Sequence, residues 1–281
     1  MKEYDFAFSI GFCCTCSEAL RAEGLQYTSA PFDWIGIDSV LQAPKLIAAD
    51  FANWFDRDLL DLWDVRILGG FATRVYRNRK TGIGFVHEFS NADPLETCYD
   101  RERIKFDRRI ARFRQNLESA QRVLAVYMEL PDGRRASDAT IAEARRILLE
   151  RYPGKEIDLL YMYEDPDCPE WKEVSSSDGI TVARMDYRTF LDGKLMHVCR
   201  HDQVRACVRA YGRVPDRRTP EEKAKFAEAK LRERQSMLGN GRFERWLNKR
   251  LLRWFRDLEA YLERQRIIPG DRPLWFDGDG K

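Results

Sequence analysis

Three short, nearly continuous apolar runs constrain the fold more than any other feature of the sequence. They cover residues 123–130, 157–163 and 180–185, and a helical pattern over residues 138–152 separates the first two. Strands that are apolar on both sides belong to parallel sheets whose two faces are covered by helices. The sequence therefore predicts a mixed, mostly parallel α/β sheet with helices on both faces, within residues 1–212.

The N-terminal part of the chain follows the same pattern and adds a hairpin. Residues 4–10 predict a strand, Gly11 a turn and residues 17–22 a helix, which is how many α/β folds begin. Residues 71–76 and 82–89 predict two antiparallel strands joined by a turn. We therefore expect a single α/β core domain.

Residues 213–281 differ from this core in composition and predict an all-helical extension. Between residues 205 and 266 there are 18 Lys and Arg but only 9 Asp and Glu. Residues 242–262 are strongly amphipathic, with Trp246 and Trp254 in the apolar stripe. A basic helix of this kind either packs on the core or contacts an anionic membrane surface. No nucleic-acid-binding motif accompanies the charge, so we expect no nucleic-acid partner.

Composition and cysteine content indicate a cytoplasmic protein. The formal net charge is +2, which disfavours a protein that coats a polyanion. No run approaches the ~18 apolar residues of a membrane-spanning helix, and the first residues lack the pattern of a signal peptide. The seven cysteines are an odd number, which favours reduced thiols over a disulfide framework.

Cys13, Cys14 and Cys16 lie where the first predicted strand turns into a helix. Backbone N–H groups at a helix start favour the thiolate, which is the nucleophilic form of cysteine. His87 lies on a later predicted strand, and an imidazolium beside the thiol lowers the thiol pKa further. This is the chain order of papain-like nucleophile pairs. The alternative is a packed, unreactive cysteine cluster.

Around these residues the sequence resembles a known family. The motif Ser-Ile-Gly-x-x-Cys, which ends at Cys14, is followed by Pro-Phe-Asp-Trp at residues 31–34. Later come Phe-x-His-Glu-Phe around His87 and Arg-Arg-Ile-x-Arg-Phe at residues 108–113. The set is similar to the signature of a bacterial domain family of unknown function that is classed with the papain-like cysteine peptidases. That family is often associated with surface-polysaccharide genes. The resemblance covers residues 4–130.

The resemblance implies that Cys14 is the nucleophile and His87 the general base. A third residue should orient the imidazole by accepting a hydrogen bond from its second nitrogen. Asp33, in the signature turn, is the candidate. Asp93 and Glu88, which stands where the family has Asp, are the alternatives. The competing interpretation of Asp33 is a turn or helix-capping carboxylate.

A basic helix over residues 100–120 carries candidate substrate-binding residues. Arg108 and Arg112 share one face of this helix, and Arg109 lies beside them. Guanidinium groups bind phosphates, carboxylates and acidic sugars, so these arginines are candidate anion contacts. Trp34 is a candidate platform for the substrate. The alternatives are a solvated helix face paired with neighbouring acids, and a tryptophan that belongs to the core.

A metal site is a further alternative at the histidines near the end of the core. His197 and His201 are four residues apart and could share a helix face, but Cys199 lies off that face. Glycine-rich loops of the Walker or dinucleotide type are absent from the sequence. We therefore expect no metal and no cofactor.

These observations lead to three functional hypotheses. The first is a cysteine-dependent hydrolase or acyl transferase, with Cys14 and His87 acting on a small-molecule, peptide or saccharide substrate. The second is an envelope-polysaccharide transferase or carbohydrate-binding protein, in which Arg108 and Arg112 hold an anion and Cys14 is structural. The third is an adaptor that recruits partners through its C-terminal helices.

Overall fold

A computed structural model gives the fold of the chain. It describes residues 2–12, 14–68, 71–90, 93–130, 135–191, 194–196, 201–224 and 227–228. The helices are α1 (Cys14–Ala22), α2 (Gln42–Ala48), α3 (Leu95–Ser119), α4 (Asp138–Arg151) and α5 (His201–Tyr211). The strands are β1 (Lys2–Glu3), β2 (Phe6–Ser9), β3 (Ile35–Gly36), β4 (Leu60–Leu68), β5 (Phe71–Asn78), β6 (Gly84–Ser90), β7 (Arg122–Met128), β8 (Glu156–Glu164), β9 (Lys172–Ser177), β10 (Ile180–Met185), β11 (Thr189–Leu191), β12 (Lys194–Met196) and β13 (Gly212–Arg213).

The largest sheet of the described chain has the strand order β2-β7-β8-β10-β9. Strands β2, β7, β8 and β10 run parallel, with Phe8 opposite Ala125 and Ala125 opposite Leu159. Strand β9 closes one edge antiparallel to β10. The three apolar runs of the sequence all lie in this sheet. Helices cover both of its faces, so most side chains of these runs are buried.

Alternate side chains of β7 enter two separate cores, as the period of two along a strand requires. The core shared with α3 and α4 contains Val123, Ala125 and Tyr127. The core shared with α1 and α5 contains Leu124 and Val126, the strand residues that alternate with these three. The helix after β2 and the helix after β7 therefore cover opposite faces of the sheet.

A second sheet, with the strand order β3-β6-β5-β4, carries His87 on β6. Strands β3 and β5 both pair antiparallel with β6, so the predicted hairpin is confirmed. The sequence pattern does not reveal β4. In that strand the apolar residues Leu62, Trp63 and Val65 are exposed, so no buried periodicity marks it.

The mixed α/β class that the sequence predicts is confirmed. The described chain does not form one mostly parallel sheet, because the second sheet pairs antiparallel around β6. Among the described residues, no helix combines the length and apolar character needed to cross a bilayer.

The chain divides into two compact units. The first unit comprises residues 1–66 and 72–216, and within it β1 pairs parallel with β13. The second unit comprises residues 67–71 and 217–281. There the backbone N–H of Thr219 donates to the Glu222 carboxylate at 2.8 Å. Most of the predicted helical extension, including all of residues 242–262, lies outside the described residues.

Candidate active site

Cys14 is placed by a tight bend at the end of β2. After Ser9 the chain bends at Gly11, where a Cβ would lie only 1.8 Å from the Tyr127 ring, so only glycine fits. The Ser9 hydroxyl donates to the Gly11 carbonyl at 2.9 Å and holds this bend. Helix α1 then begins at Cys14, whose side chain is partly exposed. A thiol at this position lies near the unpaired N–H groups that favour a thiolate.

The site lies at the carboxyl ends of the parallel strands. Because α1 and α4 leave adjacent strands β2 and β7 toward opposite faces, the two chain segments diverge there, as at ligand sites of open α/β sheets. Cys14 lies on the β2 side. On the β7 side is Glu129, which is 7% exposed and accepts from the Tyr161 hydroxyl at 2.6 Å.

The His87 imidazole meets the Cys14 thiol. His87 projects from β6 with an exposed side chain and forms a hydrogen bond with Cys14. That hydrogen bond raises the pKa of His87, and the negative charges of Cys14, Glu88 and Glu18 raise it further, whereas desolvation lowers it. The structure thus brings together the two residues that the sequence singles out for catalysis.

Trp34 lies between the imidazole and an arginine. Its ring is 6.2 Å from the His87 ring, centroid to centroid, at an interplanar angle of 81°. The Arg21 guanidinium stacks over the same indole at 5.2 Å. Edge-to-face and cation–π contacts of this kind restrict both partners. Trp34 therefore limits the orientations that His87 can adopt.

Asp33 has partners other than His87. Its fully buried carboxylate pairs with Arg21, accepts from the Ala30 N–H at 2.8 Å, and accepts from Gln26 Nε2 at 2.9 and 3.0 Å. Burial raises the pKa of Asp33, while Arg21, Gln26 and Ala30 oppose that shift. Within the described chain none of its hydrogen bonds goes to His87. Asp33 instead holds Arg21 against Trp34, so its influence on the imidazole is indirect.

Asp93 and Glu88, the alternatives for the orienting residue, face other groups. Glu88 is buried on the side of β6 opposite His87, where it pairs with Lys105 and, at 3.4 Å, with Arg109. Asp93 lies 3.9 Å from Arg101. Both carboxylates are therefore engaged by arginine or lysine side chains.

Glu18 is the acidic residue near His87 that the sequence analysis misses. It lies four residues after Cys14 on α1, so the two side chains share a helix face. Its charge acts on the imidazole, as the raised pKa of His87 indicates. The signal in the sequence is the four-residue spacing of Cys14 and Glu18, whereas the signature turn points to Asp33.

The three predicted anion contacts have different surroundings. Arg109 pairs with Glu88, and Arg108 is exposed. Arg112 is partly buried and donates through Nη2 to the Ser29 carbonyl at 2.9 Å. Burial lowers the pKa of Arg112, and the neighbouring Arg108 and Arg109 lower it further. The three arginines therefore differ in exposure and in their hydrogen-bond partners.

Burial distinguishes Cys14 from the other thiols. Among the five cysteines that the structure describes, only Cys14 is not buried. Cys16 is fully buried with its thiol 3.6 Å from the Val126 carbonyl, and burial raises the pKa of Cys16 to about 12. Such a thiol stays protonated and unreactive at neutral pH. Cys13 lies outside the described residues.

The metal alternative falls largely where the structure gives no description. His197 and Cys199 lie outside the described residues, as does the side chain of His201. Within the described part of the chain, no group of three or more His, Cys, Asp or Glu side chains is arranged to hold a metal ion.

Comparison of the chain with protein-family models, with curated proteins and with solved structures finds no match. The site itself consists of a partly exposed thiol at a helix start, an imidazole in hydrogen-bond contact with it, and an acid one helical turn away. This arrangement is suited to nucleophilic catalysis by cysteine.

Proposed function

We propose that this protein is a cysteine-dependent hydrolase or acyl transferase that uses Cys14 as nucleophile and His87 as general base and acid. The observation that carries the proposal is the hydrogen bond between these side chains, which come from α1 and β6. Helix α1 and strand β6 are far apart in the sequence, so the fold must bring them together to make this contact. Nucleophile and base within hydrogen-bond reach are the signature of an activated nucleophile.

The reaction begins when the Cys14 thiol transfers its proton to His87. The thiolate attacks the carbonyl carbon of the substrate, and the oxyanion that forms accepts hydrogen bonds from the first backbone N–H groups of α1. The imidazolium then gives its proton to the leaving group as the carbon–leaving-group bond breaks, which leaves a thioester. His87 next deprotonates water or an acceptor alcohol or amine, which attacks the thioester and releases the Cys14 thiolate.

Glu18 and Trp34 position the imidazole in this proposal. The Glu18 carboxylate favours the imidazolium that forms in the first step, because its charge raises the pKa of His87. Trp34 packs edge-on against the imidazole and limits its rotation. The substrate class follows from the chemistry and comprises peptides, amides and acylated saccharides.

Three broader expectations remain part of this proposal. The resemblance to papain-like cysteine peptidases over residues 4–130 supports the assignment of Cys14 and His87 and suggests a bacterial surface-polysaccharide context. The sequence composition supports a cytoplasmic location. The basic, tryptophan-containing pattern of residues 242–262 supports a helical extension that contacts an anionic membrane surface.

Site-resolved alkylation tests the proposal. The native protein is treated with iodoacetamide from about pH 5 to about pH 9, a range that brackets the ordinary cysteine pKa. Each thiol is then mapped by mass spectrometry. Near pH 6 we expect Cys14 to react faster than the other mapped thiols. We expect His87→Ala to slow the reaction of Cys14 at least about tenfold. Cys16 is the internal control, because it stays protected as long as the variant is folded. An inert Cys14, or equal rates with and without His87, contradicts the proposal.

The competing proposal is a glycan-modifying or carbohydrate-binding protein with a structural Cys14. The partly buried Arg112, whose Nε is buried without a hydrogen-bond partner, favours it. In that case Arg112→Gln abolishes function while Cys14→Ala leaves it intact. The opposite result in a single activity screen on acylated and anionic saccharides favours the cysteine mechanism.

A further inference from the structure

Arg112 has unused hydrogen-bonding capacity. Its Nη2 donates to the Ser29 carbonyl at 2.9 Å, but its Nε is buried and has no hydrogen-bond partner. A buried N–H group without a partner is destabilising, because it has lost its hydrogen bonds to water. Guanidinium groups compensate such a cost best with an oxyanion, which accepts two hydrogen bonds from them.

The charges around Arg112 also favour an anion. The neighbouring groups that act on it are three guanidiniums, those of Arg108, Arg109 and Arg21, and the carboxylate of Asp33. That carboxylate is already fully engaged by Arg21, Gln26 and Ala30. Arg109 pairs with Glu88.

Arg108 is the exposed member of this group. The hydrogen bonds and ion pairs found for this stretch of α3, among the residues that the structure describes, involve Lys105, Arg109 and Arg112 and not Arg108. Arg108 and Arg112 lie four residues apart on α3 and share a face. The Arg108 and Arg112 guanidiniums repel each other, and a bound anion removes that repulsion.

The position of this pair relative to Cys14 follows from α1 and the signature turn. Arg21 lies seven residues after Cys14, so its backbone is about 10 Å further along the helix. The Arg21 side chain reaches the Ser29 hydroxyl at 3.2 Å, and Arg112 reaches the Ser29 carbonyl. Trp34 lies between Arg21 and His87. A chain of contacts therefore links the thiol to Arg112, through His87, Trp34 and Arg21 and then Ser29.

We propose that Arg112 and Arg108 form a subsite for a carboxylate or phosphate of the acyl substrate, on the far side of Trp34 and Arg21 from the carbonyl that Cys14 attacks. This inference rests on the proposed function. It makes the preferred substrate an acidic acyl compound, in which one end reacts at Cys14 and the anionic end binds the two guanidiniums. A carboxylate and a phosphate share this chemistry, and the experiment distinguishes them.

Ester hydrolysis measures the charge preference directly. The substrates are mono-p-nitrophenyl esters of dicarboxylic acids of graded length, each compared with the neutral ester of the same length. We expect the wild type to have a higher kcat/KM for the acidic ester, with an optimum at an extended length. We expect Arg112→Gln to reduce this preference at least about tenfold and Arg108→Gln to reduce it less. Arg146→Gln, an equal charge change on the exposed face of α4, is the matched control.

Binding gives a readout that does not need turnover. Calorimetric titration of Cys14→Ser with inorganic phosphate and with the free dicarboxylate should show which anion binds, and Arg112→Lys should retain part of the affinity. Exposed Arg108 gives a variant that folds if the Arg112 variants do not. Equal kcat/KM ratios for charged and neutral esters in wild type and Arg108→Gln, together with no anion binding, overturn the inference. Anion binding without hydrolysis of any ester supports the subsite and contradicts the proposed function.

Discussion

Replacement of Gly11 by alanine should destabilise the protein and disturb the Cys14 bend together. A Cβ at this position would lie 1.8 Å from Cδ2 and 2.0 Å from Cε2 of Tyr127. Non-bonded carbons need about 3.5 Å, so the ring would have to move by about 1.7 Å. Tyr127 has little room to move, because it is fully buried, stacks on Tyr161 at 5.6 Å and hydrogen-bonds Glu129 at 3.2 Å. We therefore expect Gly11→Ala to cost about 3 kcal/mol, the upper end for overpacking.

A double-mutant cycle followed by urea denaturation isolates this clash. Tyr127→Ala alone should cost about 3–5 kcal/mol, as large-to-small core substitutions do. In Gly11→Ala/Tyr127→Ala the new methyl group enters the vacated space, so the combined loss should fall short of the sum by about 1–3 kcal/mol. Gly36→Ala is the control, since a Cβ there meets its nearest atom at 3.6 Å, an ordinary contact. Additive losses in the cycle would refute the steric argument.

Two further predictions concern ionisable groups. Glu18→Gln removes a charge that raises the pKa of His87, so the imidazolium–thiolate pair weakens and Cys14 alkylation near neutral pH should slow, by less than in His87→Ala; an unchanged rate would exclude Glu18 as a positioning residue. Burial raises the pKa of Asp38 to about 6, so the contribution of this carboxyl group to stability should fall as pH rises from about 4 to about 6, where the unfolded state releases this proton before the folded state does. Asp38→Asn should remove that part of the pH dependence, amounting to about 3 kcal/mol, in urea denaturation curves, and identical pH profiles for the two proteins would contradict the prediction.

The features of the fold that the sequence predicts are those with a strong local signal. The runs that became β7, β8 and β10 stand out because burial on both faces leaves little room for polar residues. Strand β4 gives no such signal, because its apolar side chains Leu62, Trp63 and Val65 are exposed. The sequence therefore predicts only a hairpin where the structure has a four-stranded sheet.

In the candidate site too, the sequence predicts the residues that have a local signal and not the roles that depend on tertiary contacts. Cys14 and His87 could be selected from the sequence because reactive residue types are few and lie in a recognisable context. The role of Asp33 could not be predicted from the sequence, because its ion pair with Arg21 forms only when α1 packs against the signature turn. A buried carboxylate in a turn fits a catalytic and a structural role equally well until its partners are known.

The contact of Trp34 with His87 gives the site an optical reporter. An imidazolium quenches indole fluorescence more strongly than a neutral imidazole, and the two rings here are 6.2 Å apart. The emission of Trp34 should therefore follow the protonation of His87 directly. In a variant whose other tryptophans are replaced by phenylalanine, proton transfer from Cys14 would register as a loss of light before any product is released.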